Sequence, residues 1–122
     1  MTVRADKLLL KRVLANLVEN GIHAGQEAGG PGDVVIGWRP RGDSVAITVD
    51  DHGKGVAATD RDRIFEPYVT TKATGTGLGL AIARKIAIEH GGELAIAPDR
   101  APTGGARFVV SLPLRGPETS LA

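Results

Sequence analysis

Apolar side chains recur with helical spacing between residues 5 and about 27. Leu10, Val13, Leu14, Leu17, Val18 and Ile22 fall at i, i+3, i+4, i+7, i+8 and i+12 and form one stripe. The spacing predicts a long amphipathic helix, with Asp6 placed to cap or charge its start. A second row on the same helix is polar. Arg12, Asn16, Asn20, His23 and Glu27 recur every three or four residues and share another face. Asparagine is a poor helix former because its amide competes with the backbone. Two asparagines at i and i+4, with a histidine next in the row, therefore cost helix propensity. The row is either a solvated face or a set of amides turned toward a polar ligand or hydrated cation. Gly21, beside Asn20, permits close approach.

Gly29-Gly30-Pro31-Gly32-Asp33 ends the helix in a loop. Period-two patterning follows. Val34, Ile36 and Trp38 alternate with Val35, Gly37 and Arg39, residues 40–43 read as a turn, and Val45, Ile47 and Val49 alternate with Ala46, Thr48 and Asp50. If the second strand stays regular, Asp51 lies on its apolar side. A carboxylate at the edge of a core is unfavourable unless it accepts hydrogen bonds. Asp51 either reads an amino group, such as the exocyclic amine of adenine, from an apolar slot, or starts a β-turn.

Residues 56–74 show no clear period apart from a polar stretch at 57–63 with room for a short helical turn. A loop of that length in a compact domain is usually either functional or disordered. It leads into Gly75-Thr76-Gly77-Leu78-Gly79-Leu80, where three alternate glycines open the backbone ahead of a helix patterned over 78–90. The free N–H groups and positive dipole end of that helix make an anion site, and phosphate is the obvious anion. The run lacks the third glycine or alanine of a dinucleotide fingerprint and the Lys-Ser/Thr ending of a P-loop. Its plainer reading is a hinge. Lys72 is either a cation for phosphate oxygens or a solvated surface lysine. Gly91-Gly92 reads as a left-handed helix stop, with His90 beside it in a structural role. Leu94 and Ile96, then Phe108, Val110 and Leu112, mark two closing strands, and 115–122 a frayed tail. The order helix, strand, strand, loop, helix, strand, strand predicts an α/β fold, a two-layer α/β sandwich. Its sheet is mixed and mostly antiparallel, with helices on one face and the other face partly open.

Composition narrows the function classes. The chain has 122 residues, room for one domain. Fifteen basic and fourteen acidic residues nearly cancel, which argues against a nucleic-acid partner. Without cysteine there is neither a disulfide frame nor a thiolate metal site. No apolar run approaches the roughly 20 residues of a membrane span, so a cytoplasmic location is expected.

Four segments together resemble a known family. Asn16-Leu17-Val18-Glu19-Asn20-Gly21-Ile22-His23-Ala24 is similar to the N box of sensor histidine kinases, and Asp51-His52-Gly53-Lys54-Gly55 to their first glycine box. Ile64-Phe65-Glu66-Pro67-Tyr68-Val69-Thr70-Thr71-Lys72 resembles the F box, and the run from Gly75 to Leu80 the second glycine box. Order and spacing agree over about residues 5–114, with the F and second glycine boxes similar to the nitrogen-regulation type. The resemblance implies the catalytic, ATP-binding (GHKL, Bergerat-type) domain of a bacterial two-component sensor histidine kinase, with 56–74 as the ATP lid. It further implies that Asn20 holds Mg²⁺ by its side-chain oxygen, with Asn16 beside the same phosphates. Asp51 then binds the adenine amine, and Gly53 and Gly55 admit the base. Gly75, Thr76, Gly77, Leu78, Gly79 and Leu80 cradle phosphate, and Lys72 is the lid cation.

Two departures stand out. His23 occupies a position where relatives carry Lys or Arg, so phosphate contact there rests on a weaker, pH-dependent cation. Relatives often have a threonine just before the closing strand's phenylalanine, whereas Ala106 and Arg107 precede Phe108 here, which removes a water-mediated adenine contact. Asn16 also stands where GHKL ATPases such as gyrase carry a water-activating glutamate, and an amide is no general base. The site is therefore expected to hold ATP for transfer rather than hydrolyse it. The family's acceptor histidine lies on a separate dimerising domain, and His23, His52 and His90 do not fit that role. An isolated monomer with little autophosphorylation is expected, acting with that domain and, through the parent, with a response regulator. The rival readings are a nucleotide-sensing GHKL module and an anti-sigma-type serine kinase.

Overall fold

The computed structural model describes residues 7–67 and 78–113. Asp6, Tyr68, Lys72, Gly75, Thr76 and Gly77 lie outside the described residues, as does the expected tail.

Helix α1 (Lys7–Glu27) forms as the periodicity predicts. Val13 and Leu17 are buried, and Leu10, Leu14, Val18 and Ile22 flank them half-buried. The polar row divides. Arg12 and Glu27 at its ends are exposed, whereas Asn16, Asn20 and His23 are sheltered. Helix α2 (Gly79–Glu89) lies beside α1 and buries Ala83, Ile86 and Ala87. Its end is the expected glycine stop. Gly91 takes φ +76°, its N–H donates to Ile88 O, and the Gly92 N–H reaches back to Ala87 O. His90 sits at this cap with Nδ1 hydrogen-bonded to Ile86 O at 2.9 Å, as its structural reading requires.

Among the described residues the strands are β1 (Val35–Arg41), β2 (Ser44–Asp50), β3 (Glu93–Ile96) and β4 (Arg107–Pro113). They form one sheet in the order β1-β2-β4-β3, and each of the three pairings is antiparallel. Register puts Ile47 beside Val110 and Val49 beside Phe108, and these face the helices with Val45, Leu94 and Leu112. The first hairpin is tighter than the expected turn over 40–43. Strand β1 continues through Pro40 and Arg41, and Gly42-Asp43 alone turns the chain, with Gly42 at φ +61°. An edge strand tolerates Pro40 because one side of its backbone needs no partner.

Cover over the sheet is uneven. Trp38 and Ile36 pair with Ile47 and Val49, so they share the helix-facing side. They nevertheless remain 65% and 53% exposed, because α1 packs over β2 and not over β1. The outer face carries an ion pair between the buried Asp50 and Arg107, with two 2.7 Å hydrogen bonds. The Asp50 carboxylate, chiefly through those bonds, holds the Arg107 guanidinium pKa above its ordinary value.

Between β2 and α2 the described residues make two single 3-10 turns, Ala58–Asp60 and Arg63–Phe65. The first occupies the stretch read as a short helical turn. Phe65 anchors this segment to the core. It meets Phe108 edge-on with ring centroids 6.3 Å apart, and the Arg84 guanidinium carbon lies 4.7 Å from its ring centre.

Candidate functional site

Asp51 follows the last residue of β2 and is only 2% exposed. A carboxylate this deep needs charge-assisted hydrogen bonds. Its Oδ1 accepts two, from the Gly53 N–H at 2.9 Å and the Ala106 N–H at 3.0 Å. Its own N–H donates to Ala106 O at 3.0 Å, and its carbonyl accepts the Thr103 hydroxyl. Asp51 is thus a buried acceptor, and its bond to the Gly53 N–H shapes the turn that follows β2. Among the described residues no donor is assigned to Oδ2.

Glycines bring the neighbouring backbone close to this carboxylate. A Cβ at Gly21 would stand 2.7 Å from Val34 Cγ1 and 3.4 Å from Asp51 Cβ, so Gly21 admits the end of β2 against α1. A Cβ at Gly53 would meet Ala24 Cβ at 2.9 Å. Gly55 takes φ +83°, and a Cβ there would lie 3.0 Å from Arg100 Nη1, which donates to Gly104 O at 2.6 Å. The space that Gly53 and Gly55 leave beside their backbone is thus occupied by α1 and by Arg100. His52 ties the same turn to the loop after α1, with Nδ1 and Asp33 O 2.8 Å apart.

The asparagine row meets the start of α2. Asn16 Nδ2 donates to Gly79 O at 3.1 Å, which fixes α1 against the end of the glycine run. Leu78 is the cap position of α2, and among the described residues no side chain caps its first turn or places an acid there. The first N–H groups of the helix therefore present an electropositive end. Leu78, Gly79 and Leu80 are half-buried here. Further along α1, Asn20 is also half-buried, and His23 Nδ1 is buried with no partner among the described residues. No group of three or more His, Asp or Glu side chains among the described residues is placed to hold a metal.

The structure thus joins Asn16 to Gly79, and Asp51 to Gly53 and, across Gly21, to α1. Sequence reasoning missed the β3–β4 loop. Thr103, Gly105 and Ala106 all touch Asp51, and Arg100 packs on Gly55. Gly104-Gly105 signalled only a turn. The loop also anchors the 3-10 segment, since Arg61 donates to Pro98 O at 2.9 Å.

The chain matches, over residues 5–116, the family described as Histidine kinase-, DNA gyrase B-, and HSP90-like ATPase. It is 44% identical over 115 residues to the sensor histidine kinase ZraS of Klebsiella oxytoca, covering 93% of this chain and 24% of ZraS. Among solved structures, the catalytic domain of histidine kinase ThkA superposes with a TM-score of 0.79 at 36% identity, over 93% of this chain and 71% of that one. Full-length ShkA in complex with AMPPNP gives a TM-score of 0.73 at 33% identity, over 88% of this chain and 22% of ShkA. The chain therefore spans about a quarter of the length of the curated relative it matches. Among the described residues no helix is long and apolar enough to cross a membrane. A two-layer fold, the matched boxes and these likenesses converge: the chain belongs to the histidine kinase-, DNA gyrase B- and HSP90-like ATPase family, as the ATP-binding catalytic domain of a sensor histidine kinase.

Proposed function

We propose that this domain binds ATP with Mg²⁺ and presents the γ-phosphate to a histidine on a separate dimerising domain of the parent kinase. The observation that carries the reading is Asp51. Two backbone donors fix one carboxylate oxygen, and the other remains for the exocyclic amine of adenine.

The remaining residues fit the phosphate end. The start of α2, which has no side-chain cap among the described residues, offers the Gly79 and Leu80 amides to anionic oxygens. Lys72, with Gly75, Thr76 and Gly77, completes this end by sequence. The donor set also suits Mg²⁺, which binds through one or two protein oxygens and otherwise takes phosphate oxygens and water. Asn20 is a sheltered amide on the row, and among the described residues no carboxylate cluster is placed to demand a larger protein cage. When bound, the ion supplies charge neutralisation at the phosphates. Asn16 orders the junction of α1 and α2 through Gly79 O and supplies no base. The Nδ1 of His23, buried with no partner among the described residues, makes its ring the candidate for a further phosphate contact. On this reading residues 1–122 form one cytoplasmic domain with its core at 5–114 and its lid at 56–74.

The test has two arms. Thermal unfolding with an ATP analogue and Mg²⁺ at 100 times Kd should show about 2.7 kcal/mol of added stability. Mixing the domain with the dimerising domain of its parent and γ-labelled ATP should give phosphohistidine only when both are present. An absent thermal shift overturns nucleotide binding. A shift without phosphohistidine favours a nucleotide-sensing module, and phosphoserine on an added partner favours a serine kinase.

A further inference from the structure

The base-binding carboxylate is held by an exchange of partners in the sheet. Strand β2 pairs with β4 through Asp50 and Arg107, and the next position continues the ladder as Asp51 opposite Ala106. One half of that pair is regular, because the Asp51 N–H donates to Ala106 O at 3.0 Å. In a regular antiparallel pair the Ala106 N–H would return to Asp51 O. Here it goes to Asp51 Oδ1 at 3.0 Å. The Asp51 carboxylate has replaced its own carbonyl in the ladder. A buried carbonyl left without a donor is unfavourable, and the Thr103 hydroxyl takes it. Gly105 makes the exchange sterically possible, since a Cβ there would overlap both Asp51 Oδ1 and the Asp51 carbonyl.

We propose that Thr103 is a positioning residue for base recognition: by capping the Asp51 carbonyl it keeps Oδ1 in the ladder and Oδ2 turned to the nucleobase. The proposal rests on the ATP-binding reading above. It also supplies a side-chain hydroxyl beside Asp51 in a chain that has Ala106 ahead of Arg107 and Phe108. Without that hydroxyl, the Ala106 N–H is drawn back to Asp51 O, and the carboxylate loses the bond that orients it. Arg100 steadies the arrangement from the same loop, through Gly104 O and against Gly55.

The test uses Thr103→Val, which keeps the side-chain shape and removes the hydroxyl, and Thr103→Ser, which keeps the hydroxyl. Binding of ATP and of purine riboside triphosphate, which lacks the exocyclic amine, is measured with Mg²⁺ for each protein. Wild type should prefer ATP about tenfold or more. In Thr103→Val that preference should fall toward unity through weaker ATP binding, and Thr103→Ser should restore it. A general loosening of the loop weakens both nucleotides equally, and an unchanged preference in Thr103→Val overturns the proposal. In wild-type protein itself, the Thr103 hydroxyl proton should exchange slowly with water and more slowly still with ATP analogue bound. A freely exchanging hydroxyl overturns the proposal even if the valine variant fails to fold. Wild type that binds neither nucleotide refutes the ATP reading, which is a different result from wild type that prefers ATP and a valine variant that does so equally.

Discussion

Asp51→Asn separates what the carboxylate does for the fold from what it does for the ligand. In the folded domain Oδ1 accepts the Gly53 and Ala106 N–H groups, and an asparagine Oδ1 can accept the same two. The bonds lose their charge assistance, and the buried charge disappears with it. The expected net change in stability is within about 1 kcal/mol, equivalent to a Tm change of roughly 4–8 °C or less for a domain of this size. Binding should respond differently. The asparagine NH₂ takes the place of Oδ2 and faces the adenine amine, donor against donor. A lost hydrogen bond to a charged group is worth about 1.5–3 kcal/mol, which at 1.4 kcal/mol per decade lowers affinity roughly 10- to 150-fold. Calorimetric titration with a non-hydrolysable ATP analogue and Mg²⁺ reads this directly, with thermal unfolding as the stability control. Asp51→Ala completes the comparison. It strands two buried N–H groups and should cost about 2–4 kcal/mol of stability as well as binding. ATP affinity of Asp51→Asn within twofold of wild type would refute the base-reading role, and an Asp51→Ala domain as stable as Asp51→Asn would refute the ladder role.

Two further predictions concern stability alone and are read by denaturant unfolding. Leu17 is fully buried between α1 and the sheet, so Leu17→Ala should cost about 3–4 kcal/mol, and a loss below 1 kcal/mol would show that the helix is not seated as described. Arg107→Leu leaves the buried Asp50 carboxylate unpaired and should cost about 3 kcal/mol. Because Asp50 raises the Arg107 pKa above its ordinary, already strongly basic value in the folded state, the contribution of this guanidinium is complete throughout the neutral range and is lost only as pH rises through that raised value. The Arg107→Leu deficit therefore should not grow as pH rises from 6 to 9, and a deficit that did so would contradict the pairing.

The local elements and the chemistry at their ends were legible in the sequence because each is written within a few residues. The 3.6-residue stripe gave α1, Gly91-Gly92 gave the stop of α2, and strand parity put Asp51 on the buried side. The sheltering of Asn16, Asn20 and His23, against exposed Arg12 and Glu27, was half-legible. Spacing puts the five on one face, but only α2 and the turn after β2 decide which part of that face they cover. Other outcomes depended on long-range register and were not written locally. The same alternation that buries Val45 and Val49 appears at Ile36 and Trp38, yet these stay exposed because no described helix reaches the edge strand. Gly53 and Gly55 read as room for a base, and the tertiary structure sets Ala24 and Arg100 beside them.

The sequence by itself determined that this chain makes two amphipathic helices over a mostly antiparallel sheet, with a carboxylate on the apolar side of a strand end and an amide row near a glycine run. Periodicity and turn chemistry act through nearest neighbours, so they survive without a fold. Only the tertiary structure decided how Asp51 is held. Its partners Thr103, Gly105 and Ala106 lie more than fifty residues away in the chain. The exchange of its carboxylate for its own carbonyl exists only once β2 and β4 are in register.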